Sequence, residues 1–516
     1  MKNSVIKYYP LMALLLLCGF YVFKAISFPA HDFANYYFGG KFLAEGSFSS
    51  DTYFPYEFNK AVLDSGHSGI FVSYAPNTPF LAVFFLLFSV FSLAAAKLIF
   101  NCISVGLLIF SLCRLFQHYK IELKYLLLIP ILFLVPIKNN LLFGQVYFLL
   151  FFLLSEGWLA YEKKQWKSMA FFWSLAILLK VFPALLILFL VFKKQWKSLI
   201  YLALGSLLLF GISLFFTGID IWFFYLKEVL PKASNGEIAT AFVDNYQSVF
   251  MFLKRIFVYE AVENPNALFN APIWFSAVMV AFKIGLVSLG YFITRKSNNN
   301  LQILSFWILA MILLSPYGST YTFILLFFPF LALLKSDVSN VKKVVFCTIL
   351  FIINNLALSL FIEMDFPFSY LRLLFLLLLF SLFLIPFWKE INWKIVTLFS
   401  FIPMILVLIF KKNDSVNSSI LLKDGPILIY NYKIENNNLT GFFKDEKGER
   451  VVLMHFNALT VEPLNLKDNQ VFYQKKQLTF DNSKKLKPML IDGKTILYLS
   501  DYDRGIGFYT LRKIEL

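Results

Sequence analysis

The chain has 516 residues, of which 59% are hydrophobic and 15% charged, and its mean hydropathy is +0.69. Soluble domains contain about 45 to 50% apolar residues, so this composition excludes an ordinary soluble fold and predicts a polytopic membrane protein. The formal net charge is +16, but Lys and Arg occur in short clusters between apolar stretches. That distribution indicates membrane topology and argues against nucleic-acid binding. The four cysteines lie within apolar stretches without ligand-like spacing, so we expect neither a disulfide framework nor a zinc site.

Thirteen apolar stretches, some of them short, predict an α-helical membrane domain over residues 1–410, since a crossing needs about 20 apolar residues and ~17 at the least. The predicted spans are 8–28, 98–116, 125–139, 146–162, 168–180, 182–192, 198–217, 272–294, 301–315, 319–334, 344–362, 368–388 and 395–410. With this division the Lys and Arg clusters all fall on one side, which the positive-inside rule assigns to the cytoplasm. The N-terminus is then cytoplasmic, and residues 29–97 and 218–271 form outer loops.

Two features of the sequence are needed for this alternation. Residues 79–93 are apolar enough to cross, but we predict a helix that lies on or dips into the outer surface, because a crossing would move the next basic cluster to the other side. The stretch 168–192 is divided near Lys180 for the same reason. A third break is expected at Ser315-Pro316-Tyr317-Gly318-Ser319, because Pro and Gly interrupt helices.

After Phe410 the composition becomes polar, and short alternating stretches such as 495–499 are separated by Asn, Asp and Gly. This pattern predicts a β-rich domain over residues 411–516. Thirteen crossings would place it outside the membrane, where it would serve as a structural appendage or bind a glycan or a partner.

Asp32 follows the first predicted span directly, in the segment His31-Asp32-Phe33-Ala34-Asn35-Tyr36-Tyr37. A carboxylate at the point where a helix leaves the bilayer is well placed to act on a lipid-borne substrate. It opens a loop with many aromatic residues and little charge, which can lie against the membrane surface. The alternative is that Asp32 is an ordinary loop carboxylate.

Three cations are candidates for binding an anionic group. Lys180 interrupts an apolar run, and an ionisable residue within a membrane stretch is by default a site hypothesis. The alternative explanation is that Lys180 extends its ammonium group to the outer interface and binds no ligand. Lys254 and Arg255 lie in the second outer loop beside aromatic residues, so an interfacial helix that faces lipid headgroups is an equally simple explanation.

The order of motifs along the outer side resembles glycosyltransferase family 87, the polyprenyl-phosphate-mannose-dependent mannosyltransferases of the GT-C superfamily. Each fragment is short, but their order and their placement on one membrane face are shared with that family. The fragments are Asp32-Phe33 with Tyr36-Tyr37, Gly46 with Tyr53, Tyr74 with Pro76, Pro79 before an apolar helix, Gly144-Gln145, Lys180 with Pro183, Gln247-Ser248 with Arg255, and Ser315-Pro316.

The resemblance implies a GT-C-like membrane enzyme that moves mannose or another hexose from a polyprenyl-phosphate donor to a hydroxyl of a lipid or glycan acceptor. Such a transfer needs a base for the acceptor proton, and Asp32 fits this role in an inverting reaction. It also needs cations or hydrogen-bond donors for the leaving phosphate. Lys180, Lys254 and Arg255 are the predicted phosphate ligands, on the outer face of a bacterial inner membrane.

Further contacts are expected from polar and aromatic residues of the same motifs. We predict substrate binding by His31, Tyr36, Tyr37, Tyr74, Gln145 and Gln247. The chain departs from the family after Ser315-Pro316, where an aromatic residue and a His are common but this sequence has Ser319 and Tyr321. A phosphate-binding role of that His is therefore in doubt here, and Tyr321 offers one neutral hydrogen bond in its place.

A divalent cation would need several oxygen ligands, and the first loop offers Asp32, Glu45, Asp51, Glu57 and Asp64 without a close acidic pair. We predict a metal-independent reaction without a cofactor; the alternative is a divalent cation held by acidic residues of the first loop, as in some GT-C enzymes. The expected partners are the lipid-linked donor, a glycolipid or glycan acceptor and membrane lipids.

Three alternatives belong to other classes. A transporter or flippase of lipid-linked glycans would also be polytopic, but such proteins often carry paired repeats, and no matching halves are evident. An O-antigen ligase or polymerase would use a long outer loop such as 218–271. A structural envelope protein would bind through residues 411–516, and deletion of that segment would distinguish it from an enzyme.

Overall fold

The computed structural model describes residues 2–237, 241–243, 245–411, 419–420, 429–435, 438–443, 450–455 and 460–516. Up to Phe410 these residues are mostly helical, and the described residues after it form short strands. The predicted largely helical chain with a small C-terminal β region is therefore confirmed.

The first half of the helical part contains two long apolar helices, Lys2–Ser27 and Leu93–His118, and several shorter ones. Its helices are α1 (Lys2–Ser27), α2 (His31–Ala44), α3 (Pro55–Asp64), α4 (Pro79–Phe85), α5 (Leu93–His118), α6 (Leu128–Leu132), α7 (Leu134–Phe143), α8 (Tyr147–Glu162), α9 (Trp166–Leu179) and α10 (Leu185–Phe192). The second half contains α11 (Trp196–Thr217), α12 (Ile219–Phe224), α13 (Leu230–Ser234), α14 (Val249–Phe257), α15 (Pro272–Lys296), α16 (Asn300–Leu314), α17 (Phe327–Lys335), α18 (Asn340–Asn355), α19 (Leu371–Leu384) and α20 (Trp393–Phe410).

Shorter turns of helix join several of these elements. The 3-10 turns are Ser50–Tyr53, Leu86–Phe88, Leu123–Leu127, Phe182–Ala184, Thr320–Leu326, Leu358–Leu360, Phe368–Tyr370 and Ile385–Phe387, and Tyr225–Val229 is a π-helical turn. Long helices such as α11 and α20 carry broad apolar surface toward the outside, as expected for contact with lipid, and little of either is buried.

Six helical segments in the described part of the chain are long and apolar enough to cross a membrane. They are Tyr9–Ser27, Leu93–His118, Trp196–Thr217, Pro272–Lys296, Phe368–Phe387 and Trp393–Phe410. The pair Leu123–Leu132 and Leu134–Phe143 adds a seventh if it is one span, but it bends by 70°. Other apolar helices have 10–17 residues, so the thirteen predicted crossings are not confirmed.

The structure has helix breaks where the sequence predicts them. Helix α9 ends at Leu179, and Lys180 has an extended backbone with φ −145° and ψ 126°. Helix α16 ends at Leu314, and the chain resumes a helical course only at Thr320. By contrast, the predicted span 125–139 is divided between α6 and α7.

The first predicted outer loop, residues 29–97 (the first outer segment), is folded into helices and is not an open loop. Helix α2 begins at His31, which places Asp32 in its first turn. The predicted surface helix over 79–93 is α4 with its following 3-10 turn, and it packs against α2. The side chain of Thr78 caps α4 by accepting a hydrogen bond from the backbone of Leu81, and Pro79 occupies the first turn, where it has no amide hydrogen to lose.

The described strands of the β region are antiparallel and form three sheets. The strands are β1 (Ser419–Ile420), β2 (Ile429–Glu435), β3 (Asn438–Phe443), β4 (Arg450–His455), β5 (Val461–Pro463), β6 (Leu466–Lys467), β7 (Gln470–Tyr473), β8 (Lys476–Gln477), β9 (Lys485–Ile491), β10 (Thr495–Ser500) and β11 (Thr510–Glu515). The sheet orders are β1-β11-β10-β9-β5, β2-β3-β4 and β6-β7-β8. The turn between β10 and β11 contacts Lys232 and Lys254 of the second predicted outer loop, residues 218–271 (the second outer segment).

Candidate active site

A cavity of about 530 Å3 lies where α2, the segment before α4, the α9–α10 break and the α16 break meet. Five of the predicted site residues line it: Asp32, Tyr36, Gln145, Lys180 and Tyr321. These side chains come from four separate stretches of the chain, and the helix breaks bring them together. The cavity is therefore the strongest candidate for an active site.

Asp32 is held by a short chain of hydrogen bonds inside the cavity. The Gln145 amide nitrogen Nε2 donates to the carboxylate oxygen Oδ2 of Asp32 at 2.5 Å. The Gln145 Oε1 atom accepts a hydrogen bond from the Tyr36 hydroxyl at 2.7 Å. Because Tyr36 fixes which end of the Gln145 amide faces Asp32, the carboxylate receives a donor and retains its second oxygen for a substrate.

Gly144 makes the approach of Gln145 to Asp32 possible. It ends α7 in the left-handed conformation, with φ +65°. A β-carbon at this position would lie 2.7 Å from the β-carbon of Phe33, the residue that follows Asp32. A residue with a side chain would therefore meet both an unfavourable backbone conformation and a steric overlap.

The turn that precedes Asp32 is held from α5. The Lys97 ammonium group donates to the carbonyl oxygens of Phe28 at 3.1 Å and Pro29 at 3.0 Å, and Lys97 is buried. His31, the next residue but one, has φ +32°, which is unusual for a residue with a side chain. The two hydrogen bonds from Lys97 hold the turn that leads into α2 and so help to position Asp32.

Burial and the neighbouring groups act in opposite directions on the pKa of Asp32. Burial raises the pKa of Asp32 above its usual value, while the hydrogen bond from Gln145 and the charges of Lys180 and His31 lower it. Burial is the largest of these effects, so the net pKa is raised. A carboxylate tuned in this way is a stronger proton acceptor than an ordinary surface carboxylate.

Lys180 extends into the cavity from the break between α9 and α10. Its ammonium nitrogen donates to Asn77 Oδ1 at 2.9 Å and lies 5.7 Å from the centre of the Tyr36 ring. Asn77 belongs to the segment before α4, and Thr78 beside it donates to the carbonyl of Leu178. Lys180 uses one donor on Asn77 and has further donors for an anion in the cavity.

Aromatic side chains form another wall. Tyr147 and Tyr321 pack with ring centres 5.1 Å apart, and Tyr246 and Tyr317 with centres 5.6 Å apart. All four residues line the cavity. Tyrosine combines an apolar face with a hydroxyl that donates and accepts hydrogen bonds, so this wall suits a ligand with both apolar and hydroxyl-rich parts, such as a sugar.

Three predicted substrate ligands lie beside the cavity lining and support it. Tyr37 donates to the carbonyl of Phe91 at 2.8 Å, and Tyr74 donates to the carbonyl of Thr78 at 3.0 Å. His31 is exposed and packs against Phe143 with ring centres 5.9 Å apart. Tyr37 and Tyr74 thus hold the first outer segment in place.

The structure places the three predicted residues of the second outer loop away from the cavity. Gln247 donates to the carbonyl of Ser369 at 3.0 Å, and its own backbone packs against Gly318. The buried Lys254 pairs with Asp503 of the β region at 2.6 Å. Arg255 donates to the hydroxyl of Tyr370 at 3.0 Å. An ion pair and protein hydrogen bonds occupy these groups, which explains why they do not point into the cavity.

Among the polar lining residues that sequence reasoning missed are Asn77 and Lys283. Asn77 gives no signal in the sequence, because Asn is common in turns. Lys283 does give one: it is an ionisable residue in the middle of the apolar helix α15, the same argument that identified Lys180.

The acidic residues of the first outer segment do not gather at the cavity. Of the five acidic residues in the first outer segment, Asp32 lines the cavity, whereas Glu45, Asp51, Glu57 and Asp64 do not. Among the described residues, no group of three or more His, Cys, Asp or Glu side chains is placed to hold a metal ion.

Part of the chain matches a known protein family. Residues 75–316 match the model of glycosyltransferase family 87, a family of the GT-C type, which confirms the resemblance predicted from the sequence. With the apolar helices, this match indicates an integral membrane glycosyltransferase that acts on a sugar donor and an acceptor. No curated protein matches the chain significantly.

Proposed function

We propose that this protein transfers mannose or another hexose from a polyprenyl-phosphate donor to a hydroxyl of a lipid or glycan acceptor, on the outer face of the membrane, with inversion at the sugar. The observation that carries the proposal is the hydrogen-bonded Asp32 carboxylate in a cavity that also contains Lys180. A base and a cation in one cavity are the two groups that this chemistry requires.

The reaction uses these residues in distinct roles. Asp32 accepts the proton of the acceptor hydroxyl as the acceptor oxygen forms a bond to the anomeric carbon of the sugar. The bond between that carbon and the donor phosphate oxygen breaks, and its electron pair leaves on the phosphate. Lys180 stabilises the resulting negative charge, and Tyr321 supplies a neutral hydrogen bond. Attack from the face opposite the phosphate inverts the anomeric centre.

Gln145 and Tyr36 act as positioning residues in this scheme. Gln145 holds one oxygen of Asp32, so the other oxygen faces the acceptor in a defined direction. Tyr36 holds Gln145. Both effects reduce the reorganisation that the site must undergo during proton transfer.

The experiment is transfer by the purified protein from a panel of polyprenyl-phosphate sugars, with wild type and Asp32→Asn compared. We expect Asp32→Asn to reduce turnover by about 100-fold or more, the usual effect of losing a general base, while the protein remains folded. Asp51→Asn is the matched control, because Asp51 is an exposed carboxylate of the same outer segment. Normal turnover by Asp32→Asn would overturn the proposal, as would transfer only from a nucleotide sugar.

A further inference from the structure

Lys283 is a second cation of the cavity, and it comes from a membrane-spanning helix. It lies near the middle of α15, in the candidate span Pro272–Lys296. Its side chain is partly buried and lines the same cavity as Asp32 and Lys180. The cavity therefore extends from the outer segments down to the apolar depth of α15.

The described residues around Lys283 do not compensate its charge. In the part of the chain that the structure describes, Lys283 makes no hydrogen bond or ion pair. Asp32 is the one acidic side chain among the described residues of the lining, and it already accepts a hydrogen bond from Gln145. An ionisable side chain within a membrane span is energetically costly and is by default a site hypothesis, so the presence of Lys283 points to an anionic ligand.

The neighbours of Lys283 define what else that ligand contains. Val287, one turn further along α15, lines the cavity together with Leu185 of α10 and with Met311 and Leu314 of α16. These side chains give the deep part of the cavity an apolar wall. An anion next to an apolar wall fits an amphiphile, in which a phosphate is attached directly to a hydrocarbon chain.

We propose that Lys283 binds the phosphate of the lipid-linked substrate and that the apolar wall beside it holds the first units of the prenyl chain. This inference rests on the proposed function and names the residue that recognises the lipid phosphate. Transfer of the sugar converts a phosphodiester into a phosphomonoester, which carries more negative charge near pH 7 because its second pKa is about 6. A cation additional to Lys180 therefore favours departure of the phosphate.

The test measures binding of farnesyl phosphate, and of uncharged farnesol, to the full-length protein in lipid nanodiscs. We expect Lys283→Met to weaken farnesyl phosphate binding by about tenfold or more, in line with the loss of a charged hydrogen bond. Farnesol binding should stay within about twofold of wild type, and Lys283→Arg should retain most of the affinity for the phosphate. Met is apolar and unbranched, so it suits an apolar helix and should not impair folding.

Lys227→Met is the matched control, because Lys227 is exposed on the outer side and lies outside the cavity lining. Unchanged farnesyl phosphate binding by Lys283→Met would overturn the inference, and so would an equal loss of phosphate and alcohol binding. Measurements on Asp32→Asn distinguish failure of the Lys283 inference from failure of the proposed function. If Asp32→Asn lacks transfer while Lys283→Met binds normally, the inference alone fails. If wild type does not bind farnesyl phosphate and Asp32→Asn retains transfer, both fail.

Discussion

At the residue scale, the reactivity of Asp32 follows from a balance between burial and its neighbours. Burial raises its pKa, whereas Gln145, Lys180 and His31 lower it. The proposed base must be ionised in order to accept a proton, so we expect activity to be lost as the pH falls through the pKa of Asp32. Each neighbour that lowers this pKa extends the active range toward acid, and removing one should contract it.

Gln145→Met removes the hydrogen bond to Asp32 with little change in side-chain volume. Since this hydrogen bond lowers the pKa of Asp32, we expect the acidic limb of the pH profile of kcat/KM to move to higher pH. Tyr36→Phe should cause a smaller shift, because it leaves the bond between Gln145 and Asp32 in place. A limb that does not move in Gln145→Met would show that this bond does not tune the base.

At the scale of elements, the helix breaks place polar residues in the cavity, and the positions of these breaks could be predicted from the sequence. Pro316 and Gly318 predict the break after α16, and Lys180 predicts the break after α9. The partners across the cavity could not be predicted in the same way. Asp32 and Gln145 are 113 residues apart, and Lys254 and Asp503 are 249 residues apart, so no local pattern links them. Lys254 was predicted as a phosphate ligand from its charge alone, because its distant partner Asp503 could not be foreseen.

Gly144 tests whether the end of α7 positions Gln145. In Gly144→Ala, the left-handed backbone costs about 1 kcal/mol, and the new β-carbon overlaps Phe33. We expect lower thermal stability and a loss of kcat of about tenfold or more, because a small displacement of Gln145 misplaces the base. Thermal unfolding and turnover of the purified protein check both effects.

Gly46→Ala is the control for the backbone term. Gly46 also has a positive φ, +73°, but a β-carbon there would meet no atom within 4 Å. Gly46→Ala should therefore lose stability through the backbone alone and keep its turnover. Equal turnover in the two variants would show that the overlap with Phe33 has no effect on the site.

At the scale of the whole molecule, the β region is attached to the outer segments by charged contacts. Asp501 pairs with Lys232 at 3.2 Å, and Arg504 pairs with Glu263. Lys232 belongs to α13, whose residue Ala233 lines the cavity and accepts a hydrogen bond from the Tyr317 hydroxyl. The β region is thereby connected to the cavity wall through one short helix.

Glu237 makes this attachment dependent on pH. It lies 3.6 Å from Lys232, and burial raises its pKa from 4.5 to about 7, although the charge of Lys232 acts in the opposite direction. A carboxyl group with a raised pKa stabilises the folded state fully below pH 4.5 and loses that contribution as the pH rises through about 7. The full change corresponds to ~3 kcal/mol.

Glu237→Gln keeps the shape of the neutral side chain and removes its titration. We expect the wild-type strands β10 and β11 to lose protection from hydrogen exchange between pH 5 and 8, once the intrinsic rate is corrected for pH, and Glu237→Gln to remain protected throughout. Glu228→Gln, an exposed glutamate of the same outer segment, should behave as wild type. If wild type and Glu237→Gln show the same pH dependence, Glu237 does not control the attachment, and other groups must supply it.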